Sequence, residues 1–515
     1  MTTLVIGLDA GELNIIRRLI DQGRLPTIAH LFREGTEGHL EPRLGEFEGM
    51  NWDRWLEGRD VSRRYHHKVW RPDRMGYSLS WTDEYLPRQP FWQDVASAGA
   101  HVGVMDIHFC GTHRQPDVSW ILQGWQLSSD PRPASRPLSV VDELKQTVGK
   151  PAMGPEIYGR QTGAGLLKLR TELIAAAEQA GRIVANTIAA QPFDLFVMCF
   201  GSVHLAGHYL WDASQIDAKT LTRDDLRLIE GALDEVYIAT DKAIGRILDA
   251  APAGTRTVLF ATYGMGPNPG WAHHLPAMID RIAHADKVGS PKQTPLGHIK
   301  DFVPIQSLMA AGRKLPSEWR DRMVRTLSPR LEDWSRRRFM ALPGEPHGFV
   351  RVNLKGRELN GAVEPGSEYG DLLETLSDDL KSFVDRRTGI PIVETVVRTD
   401  DLISTDAPER MWLPDLVVVF TTEIQSQPSD GIVSPRLGEV RWQEGKPHVS
   451  GRAGNHLSTA WYCANGPGFQ AQKINETYDT IDMAPSIVSL MGLSPDSRFD
   501  GRVIPALAKP ALEMA

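Results

Sequence analysis

His204 and His208, in the stretch GSVHLAGHYLW, stand four residues apart. On a helix that spacing puts both imidazoles on one face, about 5–6 Å apart at Cβ. Two imidazoles so placed, joined by a third from elsewhere in the chain, can grip one Zn(II), Fe(II), Mn(II) or Cu(II) ion and leave coordination positions open. Taken alone the pattern is weak. HxxxH is common by chance, and a lone histidine is more often a hydrogen-bonded structural residue. The other conspicuous histidines carry less. His273–His274 in WAHHLP and His66–His67 in RRYHHKVW are adjacent pairs whose side chains point different ways, so they read as solvated loop residues, with lining of a substrate pocket as the alternative. His108, in MDIHFCGTH, falls at a strand end. The stretch VLFATYGMGPN, residues 258–268, runs from a buried strand into a Gly-rich turn. Functional groups gather where such strands end, yet Thr262 and Tyr263 are poor equipment for chemistry. The RRR run at 336–338 reads as a solvated face.

The elements that must hold these residues alternate. TLVIGLDA reads as a parallel-sheet strand, followed by the helical spacing of Leu13, Ile15, Ile16, Leu19 and Ile20 and a Gly stop. LPTIAHLFREG makes a second helix, and FWQDVASAGAHVGVMDIHF a helix, turn and strand. Helix then buried strand recurs in LIAAAEQAGRIVANTIAAQPFDLFVMCFG and again in LRLIEGALDEVYIATDKAIGRILDAAPAGTRTVLFATYG. This order predicts an α/β fold with a mostly parallel central sheet and helices on both faces. From about 270 to 340 the text turns irregular, as a long insertion over the active edge of the sheet would. HGFVRVNLKG and PDLVVVFTT read as strands, and EYGDLLETLSDDLKSFVD as an amphipathic helix.

Composition sets the bounds. The 515 residues are 41% hydrophobic and 24% charged, as in a globular protein. A net charge of −8 gives no sign of a nucleic-acid partner. Cys110, Cys199 and Cys463 are far apart, which argues against a disulfide framework or a Cys-rich zinc site and fits a reducing compartment. The first strand begins at residue 3 with no charged leader before it, and no apolar run reaches the ~18 residues of a membrane span. A cytoplasmic protein acting on a small molecule, without nucleic acid or membrane, is expected; a homo-oligomer is left open.

Several segments together resemble the alkaline phosphatase superfamily, in particular its type I phosphodiesterases and nucleotide pyrophosphatases. They are VIGLDAG with GRLPTIAHLFREG, FDLFVMCFGSVHLAGHYLW, VLFATYGMG, VNLKGRELNGAVEPGSEY, PDLVVVF, RAGNHLSTAWYCANGPGF and YDTIDMAPSIVSLMGLSPDSRFDGR, in one order from about residue 3 to 507. The resemblance implies an alkaline phosphatase-like α/β/α sandwich. It would be a single domain over 1–510, with an insertion or cap at 267–345 and a small subdomain near 346–400. It also implies two metal ions clamping a phosphoryl group while a Thr or Ser attacks. The family pattern has an Asp after the first strand, the nucleophile, an Asp-x-x-x-His pair, an Asp-His pair before a Gly, and a late Gly-x-His.

Carried over residue by residue, Asp9 matches the first Asp, His208 the second half of the Asp-x-x-x-His pair, and His456 in GNH the late His. The rest departs. In EGMNWDRWLEGRD, alignment on Gly58 sets Glu48 at the nucleophile position, with Glu46 and Asp53 as close rivals; His204 stands where an Asp is expected, and Thr262 and Tyr263 where the Asp-His pair belongs. The family's covalent mechanism is therefore not expected. What remains is one divalent transition metal ion (Zn, Fe or Mn, with Cu also admissible) on His204, His208 and His456. Glu48 is then a fourth ligand or general base, or a surface carboxylate. Asp9 orients a His ligand, binds a substrate amine or acts as a base, or merely caps a helix. Tyr263 donates a hydrogen bond into the pocket or fills it, and Thr262 fills space. A mononuclear hydrolase acting on a phosphorus ester or related molecule through metal-activated water is the expected function. A redox or lyase metalloenzyme comes second, and a non-catalytic binding protein third.

Overall fold

A computed structural model describes residues 1–41, 50–60, 69–73, 76–80, 89–108, 115–126, 133–154, 161–212, 222–285, 337–342, 344–358, 360–406, 408–411, 413–423, 429–441 and 451–508. Its centre is a ten-stranded sheet. The first strand, Thr3–Leu8, is fully buried and pairs in parallel with Leu195–Phe200 on one side and Arg256–Ala261 on the other. Val102–Met105 and Trp120–Gln123 continue the parallel order beyond Leu195–Phe200. Ala460–Asn465 is inserted antiparallel between Arg256–Ala261 and Thr36–Glu41. The sheet is thus mostly parallel, as its near-continuous apolar strands require.

Alternation along the strands divides the core. Leu4, Ile6, Leu8, Met198 and Leu259 face one way, against the long helices Gly163–Ala190 and Ala232–Ala250. Val5, Val197, Val258 and Phe260 face the other, against the helices Met50–Glu57, Phe91–Ser97 and Met483–Leu490. On that second face Trp55 stacks on Phe260 with centroids 4.4 Å apart. Such a pair adds about 0.5–1.5 kcal/mol beyond its buried area.

A smaller antiparallel sheet, in the order Phe339–Leu342, Gly348–Val352, Leu416–Phe420 and Val393–Arg398, builds a third core with the helices Leu275–Ala285 and Ser367–Lys381. The first of these helices lies within the stretch expected to be irregular. Leu275, Met278, Ile279 and Ile282 bury one face of it, a helical period that Pro276 in the first turn obscures. Residues 286–336 lie outside the described residues, as do Glu46, Glu48, His66, His67 and Cys110.

One feature of the topology brings the candidate residues together. Past the end of strand Arg256–Ala261, Gly264–Pro267 pairs antiparallel with Gly454–Leu457, with Met265 opposite His456. This ribbon carries the late histidine back over the strand ends, onto the helix Ser202–Leu210. The approach is close: a Cβ on Gly454 would collide with the carbonyl of Gly207.

Candidate metal centre

Strand Leu195–Phe200 ends at Gly201, and the helix Ser202–Leu210 starts at once, at the end of the sheet where Asp9 also emerges. Its two histidines lie one turn apart. His208 is fully buried, and its Nδ1 sits 2.9 Å from the carbonyl of Gly454. That carbonyl can only accept, so Nδ1 carries the proton and Nε2 a lone pair. His204 presents Nδ1 to Asp9 Oδ2 at 3.3 Å. The Nε2 of His204 lies 3.0 Å from the Nε2 of His208 and 3.0 Å from the Nε2 of His456.

At 3.0 Å, a proton or a cation between two such nitrogens offsets the repulsion of their lone pairs. Burial, followed by the charge of Arg452 and the neighbouring imidazoles, pushes His208 well below the usual histidine range. Burial, then His204 and Arg452, does the same to His456. Both rings therefore resist protonation and stay in the neutral form that ligates a metal. The three ligand atoms lie within 4.8 Å of one another, and no other group of this kind occurs among the described residues. Imidazoles whose Nε2 atoms turn to one point fit a single transition-metal ion.

Beside this trio sits a different arrangement. Asp9 is fully buried at the end of the first strand. Its Oδ1 accepts from the Trp52 indole at 3.0 Å and from the Tyr263 hydroxyl at 2.7 Å. Its Oδ2 meets His108 Nε2 at 2.6 Å and the His204 ring at 3.3 Å. Burial pushes the Asp9 carboxyl up. The charges of His108 and His204 and the bonds from His108 and Tyr263 more than offset this and hold it well below the usual carboxylate range. Tyr263, with its hydroxyl on Asp9, also packs its ring 4.5 Å from that of His456.

The backbone is bent to reach this geometry. Ala10, next to Asp9, has φ 53°, and Asp106, two residues before His108, has φ 52°. Non-glycine residues rarely adopt this left-handed conformation, and it costs of order 1 kcal/mol or more. Asp106 is held in it by the backbone N–H groups of Trp125 and Gln126, each at 2.9 Å, and burial raises its carboxyl to about 7.

Among the residues singled out from the sequence, His204, His208, His456, Asp9 and Tyr263 form one cluster. Thr262 is buried beside it, with no hydrogen-bond partner for its hydroxyl among the described residues. Asp53 is half-buried on the helix Met50–Glu57. Glu48 falls outside the described residues. His273 places its Nε2 2.5 Å from Glu345. Sequence reasoning missed Trp52 and Arg452 and saw only the strand-end position of His108. The available signals were the Trp52/Trp55 pair at helical spacing and an arginine four residues before His456.

Comparison with known proteins bears on the fold. No family model matches the chain, and no curated protein matches it. Among solved structures it is similar to the alkaline phosphatase PafA at 12% identity, covering 98% of each chain with a TM-score of 0.51. It is also similar to the phosphonoacetate hydrolase of Sinorhizobium meliloti 1021 bound to phosphonoacetate (12% identity, 94% of each chain, TM-score 0.48). Human ectonucleotide pyrophosphatase/phosphodiesterase 5 aligns over 97% of each chain at 10% identity with a TM-score of 0.45. The chain has the alkaline phosphatase fold, as the resemblance of its segments implied.

Proposed function

We propose, on the premise of an alkaline phosphatase fold whose strand ends carry one imidazole trio, that this protein is a metal-dependent hydrolase with a single ion. Its substrate would be a phosphorus ester or a related small molecule. The observation that carries the reading is the convergence of the Nε2 atoms at 3.0 Å from His204 to both His208 and His456. These three residues would hold the ion. When bound, a divalent ion would supply Lewis acidity to a phosphoryl oxygen and lower the pKa of its bound water to roughly 7.

The remaining roles belong to the chain's own groups. Asp9 fixes the His204 tautomer from behind, as carboxylates do for histidine ligands. With four contacts already made, it is not read as the base. Tyr263 and Trp52 hold Asp9 in place and keep water from it. Glu48 is kept as the candidate general base, because it lies two residues before the helix whose Trp52 reaches Asp9. An attacking water, rather than a phospho-enzyme, follows from the absence of a Thr or Ser at the matched nucleophile position.

A second reading, a redox metalloenzyme, is favoured by one observation: the donor trio is wholly nitrogen, which suits iron or copper as well as zinc. Elemental analysis of the purified protein, with His204→Ala and His456→Ala variants, tests both readings. One equivalent of metal in the wild type and loss in both variants is expected. Equal metal in all three proteins would remove the proposed centre. Zinc with oxygen-independent hydrolysis of phosphate esters supports the first reading; iron or copper with oxygen uptake supports the second.

A further inference from the structure

The turn at residues 9–12, between the first strand and the first helix, carries two carboxylates. Asp9 supports the ring of His204. Glu12 is buried and closes the turn as the N-cap of the helix Leu13–Asp21. Its Oε1 accepts from the backbone N–H of Asn14 at 3.1 Å and from Asn14 Nδ2 at 2.8 Å. Glutamate is an unusual cap, because the shorter Ser, Thr, Asp and Asn side chains are preferred. Capping therefore accounts for one oxygen and leaves the length of this side chain unexplained.

The second oxygen supplies the reason. Glu12 Oε2 accepts from the backbone N–H of Met265 at 3.1 Å and from the Thr459 hydroxyl at 3.4 Å. Met265 lies opposite His456 in the ribbon of Gly264–Pro267 and Gly454–Leu457, and Thr459 follows the second strand of that ribbon. An antiparallel ribbon turns alternate N–H groups away from the partner strand. That of Met265 is one of them, and Glu12 takes it from outside. The side chain of Met265 rests on the helix Ser202–Leu210: a Cβ on Gly207, the residue before His208, would lie 2.7 Å from Met265 Cγ. Gly264 leaves room for the carboxylate, since a Cβ there would lie 2.4 Å from Glu12 Oε2. Trp461, on the strand that follows the ribbon, donates its indole N–H to the carbonyl of Gly11 at 2.8 Å and ties the same turn to the same segment. The donors to the Glu12 carboxylate among the described residues are all neutral, so the contact places a ribbon rather than balancing a charge.

We infer that Glu12 is a positioning residue for the metal centre: through Met265 it fixes the ribbon against the helix, and so sets where His456 meets His204 and His208. The inference rests on the single-ion reading of the trio and adds the group that places its third ligand. A binding constellation must be held within about 0.5 Å of its productive geometry, and supporting contacts do this. One short turn then serves two of the three imidazoles, Asp9 through the ring of His204 and Glu12 through the backbone opposite His456.

The test uses Co(II) as probe, titrated into the full-length chain after metal removal. Chelator competition gives its affinity, visible absorption reports its coordination geometry, and denaturant unfolding is followed on the same samples. Glu12→Asp keeps a preferred helix cap but is one methylene too short for Met265. It is expected to lower Co(II) affinity by roughly tenfold, the lower end of what supporting groups contribute, and to shift the visible bands. Glu12→Gln keeps the length and one acceptor oxygen, and should fall between that variant and the wild type. Asn14→Ala removes a partner of the capping oxygen alone. It should weaken the fold while leaving Co(II) affinity and bands as in the wild type. If Glu12 only caps its helix, Glu12→Asp will bind Co(II) with wild-type affinity and bands. That outcome overturns the inference, and so does an Asn14→Ala variant that loses as much Co(II) affinity as Glu12→Asp. Should Glu12→Asp fail to fold, Gly264→Ala reaches the same contact from the other side by displacing Oε2. Reduced affinity there supports the inference, and wild-type affinity overturns it. A wild type that takes up no stoichiometric Co(II) sinks the metal centre itself, and this inference with it. Equal binding by the wild type and Glu12→Asp removes only the role of Glu12.

Discussion

Two neighbouring groups at the ends of the same strands have been built in opposite ways. In one, His204, His208 and His456 turn three nitrogens toward a common point, and burial pushes His208 and His456 well below the usual histidine range. In the other, Asp9 is surrounded by Trp52, Tyr263, His108 and His204, and each of its oxygens has two partners. The first arrangement leaves its nitrogens facing one another; the second is satisfied by protein groups alone. The difference teaches that a buried carboxylate ringed by donors is stabilised without a cation, and that its charge can then serve a neighbouring ring.

The comparison can be broken most directly at His208. His208→Ala should abolish stoichiometric metal and hydrolysis together, lowering metal affinity beyond the roughly 10–100-fold that a supporting group contributes. Elemental analysis and turnover of a phosphate ester would show it; retained metal would mean that the trio is not the centre. The next effect is at Asp9. Asp9→Asn should weaken metal binding by about 10–100-fold in a chelator competition, without removing the site. If Asp9→Asn instead matches His208→Ala, the carboxylate is a ligand and the two groups are one.

Tyr263→Phe sharpens the distinction. It removes one of two donors to Asp9 Oδ1 and leaves a buried carboxylate oxygen with Trp52 alone. A stability loss of about 1–3 kcal/mol in denaturant unfolding is expected, with metal affinity changed less than about tenfold. The smallest effect is a control outside both groups. Burial pushes His347 from 6.5 down to about 4, and its Nδ1 has no partner among the described residues. The unfolded chain binds this proton first, so His347 lowers stability as pH falls from about 6.5 toward 4. His347→Gln should flatten that limb of the unfolding profile and leave metal content at neutral pH unchanged.

Much of the architecture was legible in the chain. Strand Leu195–Phe200 and the helix Ser202–Leu210 follow from a continuous apolar run meeting a helical one, and the i, i+4 placement of His204 and His208 needs no further information. The helix Leu275–Ala285 was hidden by Pro276 and by the irregular text after it. Nothing in NWDRWLEG marks Trp52 for a polar contact. Its indole N–H matters only because the helix Met50–Glu57 packs where that N–H meets Asp9. Nothing in RAGNH announces the contact of Arg452 with Glu345, more than a hundred residues away.

By itself the sequence determined the α/β alternation, the strand ends as the place for chemistry, and the residue types there, because these depend on local periodicity and on side-chain chemistry. Only the tertiary structure decided which nitrogens face one another and that Asp9 is enclosed by donors. Those outcomes depend on distances between segments up to 254 residues apart. Such distances are set by sheet order and by the close passage of Gly454 over Gly207, not by any pattern that a short stretch of chain can carry.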